Sequence, residues 1–519
     1  MHLPDISVRV SRKMGLAVLA GILLIAIFPN IDIEFLAWIA FVPLFLAVQE
    51  ESLKNSFWLG WFAGLVYGLG SLYWVTITMM SFGGLSWGLS VCLLGFLAAY
   101  LALYMGSFTM LLRALQQSLE LPFLVTAPVV WVGLEYLRSF FMIGFPWNSL
   151  GYSQYLTPQV TQLADLTGVY GVSFLIVLVN AGVYTSLVAE VPRRLKLRSV
   201  FVTLGCLGLS LVYGFSVLPG IDAEPSGDTI RLAVVQGNID QSLKWSPEFR
   251  KKIFEKYVRL SQDTLKTAPD MIVWPETAFP YVMRYDPGSQ DAIRTLAREL
   301  QRYLLYGTID VMPSSNQEEK TYESLNSAFL ISPEGDIAGK YDKMRLVPFG
   351  EYIPFEDLLF FVKELTHTIG KVHPGKQSTL LVADGTAFGT LICFEIIFPN
   401  FVREFVEKGA RFLVTITNDA WFARSAASYQ HFAMVTFRAI ENRVAIARAA
   451  NTGISGFIDP YGRILSQSEI FVDKTLTHDI PLRTTTTFYS RYGDLFARLC
   501  LLFTLLGAAV HFYRTKKAV

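Results

Sequence analysis

The sequence predicts an α-helical membrane bundle of about eight spans that carries one α/β domain. Three observations predict it. Apolar residues make up 52% of the 519 and charged ones only 17%, with positive mean hydropathy. Long apolar segments follow one another through the first 220 residues, and beyond residue 230 strand-like and helix-like runs take turns. The formal net charge of +1 leaves nothing that would draw in a nucleic acid or a polyacidic substrate.

The apolar segments lie at 14–29, 34–49, 57–79, 88–112, 122–141, 168–189 and 198–218, with an eighth at 494–513. Crossing the hydrocarbon core takes ~20 residues. The first two are short, and Pro43 interrupts the second. Buried helices of a soluble protein would show polar faces, which these segments lack.

Basic residues set the expected orientation. Arg9, Arg12 and Lys13 precede the first segment, Lys54 lies between the second and third, Arg113 follows the fourth, and Arg193, Arg194, Lys196 and Arg198 lie between the sixth and seventh. The alternate connections, at 30–33, 80–87 and 142–167, hold no Lys or Arg. The positive-inside rule then puts both termini in the cytoplasm and the chain at residue 219 on the outer face. No small-residue cleavage site follows Ala26-Ile27-Phe28-Pro29, so the first segment reads as a retained span. The expected division is 1–220 for seven spans, 221–487 for the outer α/β domain, and 488–519 for the last span with its cytoplasmic tail.

In the outer domain, strands are expected at 231–239, 271–274, 304–309, 326–332 and from 337 toward 346. Further strands are expected up to Cys393, at 412–417, and near 444, 454 and 464. Amphipathic helices are expected at 248–266, 290–302, after Pro399, and at about 427–442. No internal repeat is evident.

Four cysteines are present. Cys92, Cys206 and Cys500 fall in spans, which leaves Cys393 as the outer domain's only thiol, with no disulfide partner. It ends the apolar run Gly389-Thr390-Leu391-Ile392, and the helix start behind it would favour thiolate over thiol. The residues alone leave two readings open, a nucleophile or a buried structural cysteine. Glu276, in Val273-Trp274-Pro275-Glu276, is either a carboxylate in a pocket or a solvated turn residue. Lys343, in Tyr341-Asp342-Lys343, is either a site cation or a surface lysine. His431, on a helix behind Trp421, reads as a core or surface histidine in preference to a partner for the thiol.

Taken together, Trp-Pro-Glu, Tyr-Asp-Lys and Ile-Cys-Phe-Glu, each at a strand end, resemble the Glu, Lys, Cys triad of the nitrilase superfamily. With the membrane spans added, the whole chain resembles the apolipoprotein N-acyltransferases of the bacterial inner membrane. Supporting runs are Val235-Gln236-Gly237-Asn238, Gln241-Ser242-Leu243-Lys244-Trp245, Leu346-Val347-Pro348-Phe349-Gly350-Glu351 and Thr417-Asn418-Asp419-Ala420-Trp421-Phe422. Phe145-Pro146-Trp147 and Gly151-Tyr152-Ser153-Gln154 match as well. Phe394 departs from members that have Tyr after the nucleophile, while Glu395 is retained.

The resemblance implies an αββα sandwich and a ping-pong reaction without cofactor or metal. Cys393 would take an acyl chain from a phospholipid as a thioester. Glu276 would move protons, and Lys343 would steady the oxyanion and lower the thiol pKa. The acceptor would be the α-amino group of a lipoprotein's S-diacylglyceryl cysteine. Trp245, Glu351, Phe394, Glu395, Asn418 and Trp421 would support the site or bind substrate. The 352–372 segment, with Phe355, Leu358, Leu359, Phe360, Phe361 and Val362, is either a lid dipping into the outer leaflet or a core-packing helix. A membrane-anchored amidase with water as acceptor is the alternative. A transporter would leave the triad unexplained, and no Gly-x-Ser-x-Gly elbow points to a serine esterase.

Overall fold

Close helix packing in an apolar solvent needs small side chains, and the helix Leu53–Ser71 supplies them. A Cβ at Gly64 would lie 2.9 Å from the Ala102 Cα of the helix Trp87–Leu119, so only glycine lets these two backbones meet. The computed structural model describes residues 3–119, 121–142, 144–218, 227–282, 286–313, 322–354 and 372–518. The candidate lid segment therefore lies almost wholly outside the described residues. The chain forms two compact units, one of residues 1–80, 85–218 and 492–519, the other of residues 81–84 and 219–491.

The first unit is helical. Among the described residues, five helices are long and apolar enough to cross a membrane: Trp87–Leu119, Phe123–Phe140, Val169–Val188, Arg193–Val217 and Leu495–Lys517. A sixth is reached if Leu53–Ser71 and Trp74–Ser81, bent by 50° at their junction, count as one span. The expected eight are not reached. The helix Leu3–Ala26 is not among the helices that qualify, and its sequence holds Arg9, Arg12 and Lys13 in its first half. The second segment, Glu34–Val48, is a short apolar helix split between a 3-10 turn and a single α-helix begun by Pro43. Phe201, Leu204, Leu209, Val212 and Phe215 stand exposed on Arg193–Val217, as a lipid-facing surface requires.

The second unit holds two six-stranded sheets. In chain order the strands are β1 (Thr229–Gln236), β2 (Met271–Val273), β3 (Tyr303–Pro313), β4 (Tyr322–Ile331), β5 (Ile337–Asp342), β6 (Leu380–Ala383), β7 (Thr386–Ile392), β8 (Phe412–Thr417), β9 (Ile446–Ala450), β10 (Gly456–Ile458), β11 (Ile464–Gln467) and β12 (Lys474–Pro481). The sheet orders are β12-β1-β2-β3-β4-β5 and β11-β10-β9-β8-β7-β6. Each has a parallel trio, β1-β2-β3 and β7-β8-β9, with antiparallel strands outside it. The two halves thus share one pairing pattern that their sequences do not display.

Helices cover the outer faces, giving the expected αββα layering. Ile253, Tyr257 and Leu260 of the helix Pro247–Thr264, with Ile293 and Leu296 of Pro287–Leu300, bury Trp274 and Ile272 of the first sheet. The Tyr257 ring stacks on Trp274 at 4.8 Å. On the second sheet, Phe405 of Pro399–Glu407 packs over β7 so closely that residue 389 has to be glycine, its Cβ position lying 2.8 Å from the Phe405 Cβ. The inner faces are joined by polar contacts as well as apolar ones. Fully buried Gln236 accepts from Ser455 Oγ at 2.6 Å and Ser468 Oγ at 2.7 Å.

Candidate active site

Glu276, Lys343, Cys393 and Asn418 each lie one to three residues beyond the carboxyl end of a strand, β2, β5, β7 and β8 respectively. Such strand ends are where α/β folds gather function. Cys393 turns out of β7 with φ +54° and opens the 3-10 turn Cys393–Ile397. A left-handed cysteine is uncommon backbone, and it lifts the thiol off the sheet.

The structure brings the triad together in one buried site. Lys343 Nζ donates to Glu351 Oε1 at 2.9 Å and stands 3.4 Å from Glu276 Oε1. Asn326 Nδ2 reaches the same two oxygens at 3.2 and 2.7 Å. The Asn418 main-chain N–H donates to Glu276 Oε2 at 2.9 Å. Cys393 is within electrostatic reach of Glu276, Lys343 and Asp419. The Glu276 turn also packs on β3 at Gly307, where a Cβ would lie 2.7 Å from the Glu276 Cα.

Charge states follow from burial and neighbours. Burial disfavours the Lys343 ammonium, but the carboxylates of Glu351 and then Glu276 outweigh it, and the group is pushed up and stays a cation. Burial, then the Glu276 charge, pushes the Cys393 thiol up, with Lys343 pulling the other way. The pull toward thiolate expected from the helix start and from Lys343 is outweighed by burial. The α-helix proper begins only at Pro399, so its dipole does not reach the sulfur, and burial decides. A thiol that rests protonated needs a base.

The supporting residues divide. Glu351 joins the site, its other oxygen accepting from Val347 N at 2.8 Å. Glu395 does not face the triad carboxylates. Its Oε1 accepts from Tyr341 OH, Met344 N and Arg345 N, and its Oε2 from Ile392 N at 2.7 Å, which fastens the loop after β5 to the end of β7. Burial pushes its carboxyl up to about 7 against those donors. Asn418 Oδ1 accepts from Asn451 Nδ2, and its amide donates to Gln241 Oε1. Phe394 is buried edge-on against Phe398, while Trp245 and Trp421 are exposed.

Comparison with known proteins shows what this arrangement belongs to. The model of the apolipoprotein N-acyltransferase N-terminal domain matches residues 20–182, and that of carbon-nitrogen hydrolases matches residues 231–489. An apolipoprotein N-acyltransferase of Geobacter metallireducens is 42% identical over 99% of this chain and 98% of its own. This chain belongs to the apolipoprotein N-acyltransferase family. Proteins of the same name from Chlorobaculum tepidum and Pasteurella multocida are each 32% identical, over 95% and 92% of this chain and 95% and 91% of theirs. A solved amidase from Nesterenkonia sp. is 17% identical over 53% of this chain and 98% of its own, with a TM-score of 0.39.

In this N-acyltransferase the structure adds residues that the sequence reading passed over. Asn326, inside β4, reads as one more strand residue, yet it bridges both site carboxylates. Lys244 is 2% exposed, and its Nζ donates to the Glu276 carbonyl at 3.1 Å. A lysine between Leu243 and an exposed Trp245 gives no sequence sign of burial. Burial pulls the Lys244 ammonium down to about 7, with Glu276 and Cys393 opposing.

That shift has a sign. Between about pH 7 and 10.5 the unfolded chain holds a proton on Lys244 that the folded chain has released, so stability contributed by this site rises with pH across the window. A Lys244→Met enzyme should lose that rise, read as thermal midpoints in detergent at pH 7 and pH 10 beside wild type. An unchanged pH slope would show that Lys244 does not titrate there.

Proposed function

We propose that this acyltransferase moves an acyl chain from a phospholipid to the α-amino group of an N-terminal S-diacylglyceryl cysteine of a lipoprotein, through a thioester on Cys393. The observation that carries the reading is the Glu276 carboxylate held by Asn326, Lys343 and the Asn418 N–H, within charge reach of a protonated thiol. Glu276 takes the thiol proton as sulfur attacks the ester carbonyl. The C–O bond breaks, the proton passes to the leaving oxygen, and lysophospholipid departs. An ammonium has three N–H groups. Lys343 spends two on Glu351 and Glu276 and can offer the third to the oxyanion. In the second half the amine attacks the thioester, Glu276 receives an N–H proton, and the departing thiolate takes it back.

Transfer wins over hydrolysis only if water is kept from the thioester until the amine arrives. The burial of Glu276, Lys343 and Asn418 supports that. The distribution of Lys and Arg between the apolar segments supports a catalytic domain on the outer face of the inner membrane, with both termini in the cytoplasm.

Intact-protein mass spectrometry tests the reading. Incubation with phospholipid alone should add one acyl chain to the enzyme. Hydroxylamine or a diacylglyceryl peptide amine should remove it, and a Cys393→Ser enzyme should never acquire it. Absence of any adduct at saturating phospholipid would remove the thioester. Loss of the adduct to water at the same rate with and without amine would favour the amidase reading.

A further inference from the structure

Beside the nucleophile lies a buried polar cluster that the two half-reactions leave unused. β7 and β8 run parallel with Ile392 paired to Ile416, so the residues that follow, Cys393 and Thr417, are neighbours. Thr417 is fully buried, and its hydroxyl lies where it would favour a Cys393 thiolate. The same hydroxyl donates to Asp419 Oδ1 at 2.8 Å. Arg448 Nη2 donates to the other Asp419 oxygen at 2.8 Å, and His431 Nδ1 stands 3.2 Å from Oδ1. Asp419, His431 and Arg448 are buried as completely as Thr417. Burial opposes the Asp419 charge, but Arg448 and then His431 outweigh it and hold the carboxyl down at about 2. Asp419 is therefore a permanent acceptor.

A hydroxyl has one proton to give. While the sulfur carries a proton or an acyl group, that proton belongs to Asp419. Once the thiol ionises, the sulfur is a charged acceptor against the same hydroxyl, and rotation about one C–O bond redirects the proton to it. Asp419 is not orphaned by the change, because Arg448 still neutralises it. Hydrogen bonds to ionised groups are roughly twice as strong as neutral ones. Both acceptors are then ionised, but Asp419 keeps Arg448 at 2.8 Å and the His431 ring at 3.2 Å, so the swing leaves each anion with a donor.

We propose that Thr417 is a further catalytic residue, a donor that turns from Asp419 to the Cys393 sulfur when the thiolate forms and turns back when the thioester is made. This rests on Cys393 being the nucleophile. It gives Cys393 a stabiliser on the side away from Lys343, in a site where burial works against the thiolate. Thiolate formation is then shared between a base that removes the proton and a hydroxyl that receives the charge.

The test is alkylation of Cys393 by iodoacetamide in the full-length protein, followed across pH by peptide mass spectrometry, which needs no lipid substrate. The charged and titratable groups around the sulfur are Glu276, Lys343, Asp419 and Lys244, with His431 against the Cys393 backbone and Arg448 behind Asp419, and the variants leave all six in place. In Thr417→Val the alkylation midpoint should rise by about one pH unit, so that the rate below it falls about tenfold. Thr417→Ser should titrate as wild type. An unmoved midpoint in Thr417→Val overturns the proposal, and so does a Thr417→Ser enzyme as impaired as Thr417→Val, because packing of the methyl group would then be the cause. If Thr417→Val fails to fold, Thr417→Ala against Thr417→Ser makes the same comparison. The assignment of Cys393 stands or falls separately, on the acyl adduct and its loss in Cys393→Ser.

Discussion

A Glu276→Gln enzyme should keep its fold and form the Cys393 acyl adduct about 10²- to 10⁴-fold more slowly, the range over which a positioned base speeds proton transfer. The size of the loss follows from the resting state of the thiol. Burial and the Glu276 charge hold Cys393 protonated, so without a base only a trace of thiolate is available. The amide oxygen can still accept from Asn418 N, as Oε2 does now at 2.9 Å. The new NH2 takes the place of the oxygen that accepts from Asn326 and Lys343, and is matched once the Asn326 amide turns its oxygen inward; the proton acceptor is removed. Single-turnover acylation by phospholipid, read by intact mass, is the measurement. A wild-type rate would take Glu276 out of the proton transfer.

A Lys343→Met enzyme should lose about 10²- to 10³-fold in acylation, the usual loss for one oxyanion donor, and stability as well. Glu351 and Glu276 now share this cation at 2.9 and 3.4 Å. Without it, two buried carboxylates face each other across Asn326, and losing one partner of such a group typically costs about 3–5 kcal/mol. Adding Glu351→Gln to Lys343→Met separates the effects. The double variant should regain most of its thermal midpoint and none of its acylation rate. Recovery of activity along with stability would mean that Lys343 only neutralises charge.

Cys393 and Glu276 were legible because each follows an apolar, buried strand, whereas Lys343 follows the polar, half-exposed Ile337–Asp342 and stood out only through the resemblance of the three runs taken together. What surrounds the three was not legible. Lys244 and Asn326 act through burial and long-range partners, and neither leaves a local trace. The sequence displays a helix near Cys393 but not the depth of the sulfur, whose burial works against the thiolate. Two strands escaped notice: β6 spans only Leu380–Ala383, and β12, Lys474–Pro481, is a polar, half-exposed edge strand. Among the described residues five or six helices are long and apolar enough to cross, and apolar composition alone does not register the basic residues of the first helix or the division of the second segment into a 3-10 turn and a short α-helix.

Glu276 and Lys343 hang from one sheet, Cys393 and Asn418 from the other, and the strand that closes the sandwich, β12, must find β1 with Thr229 opposite Pro481. Pairing over that separation is slow, because a long loop has to be closed before any contact rewards it. A second sheet folded without the first would carry the thiol with no base and no oxyanion donor within reach, so reactivity toward the surrounding lipids requires both sheets in register.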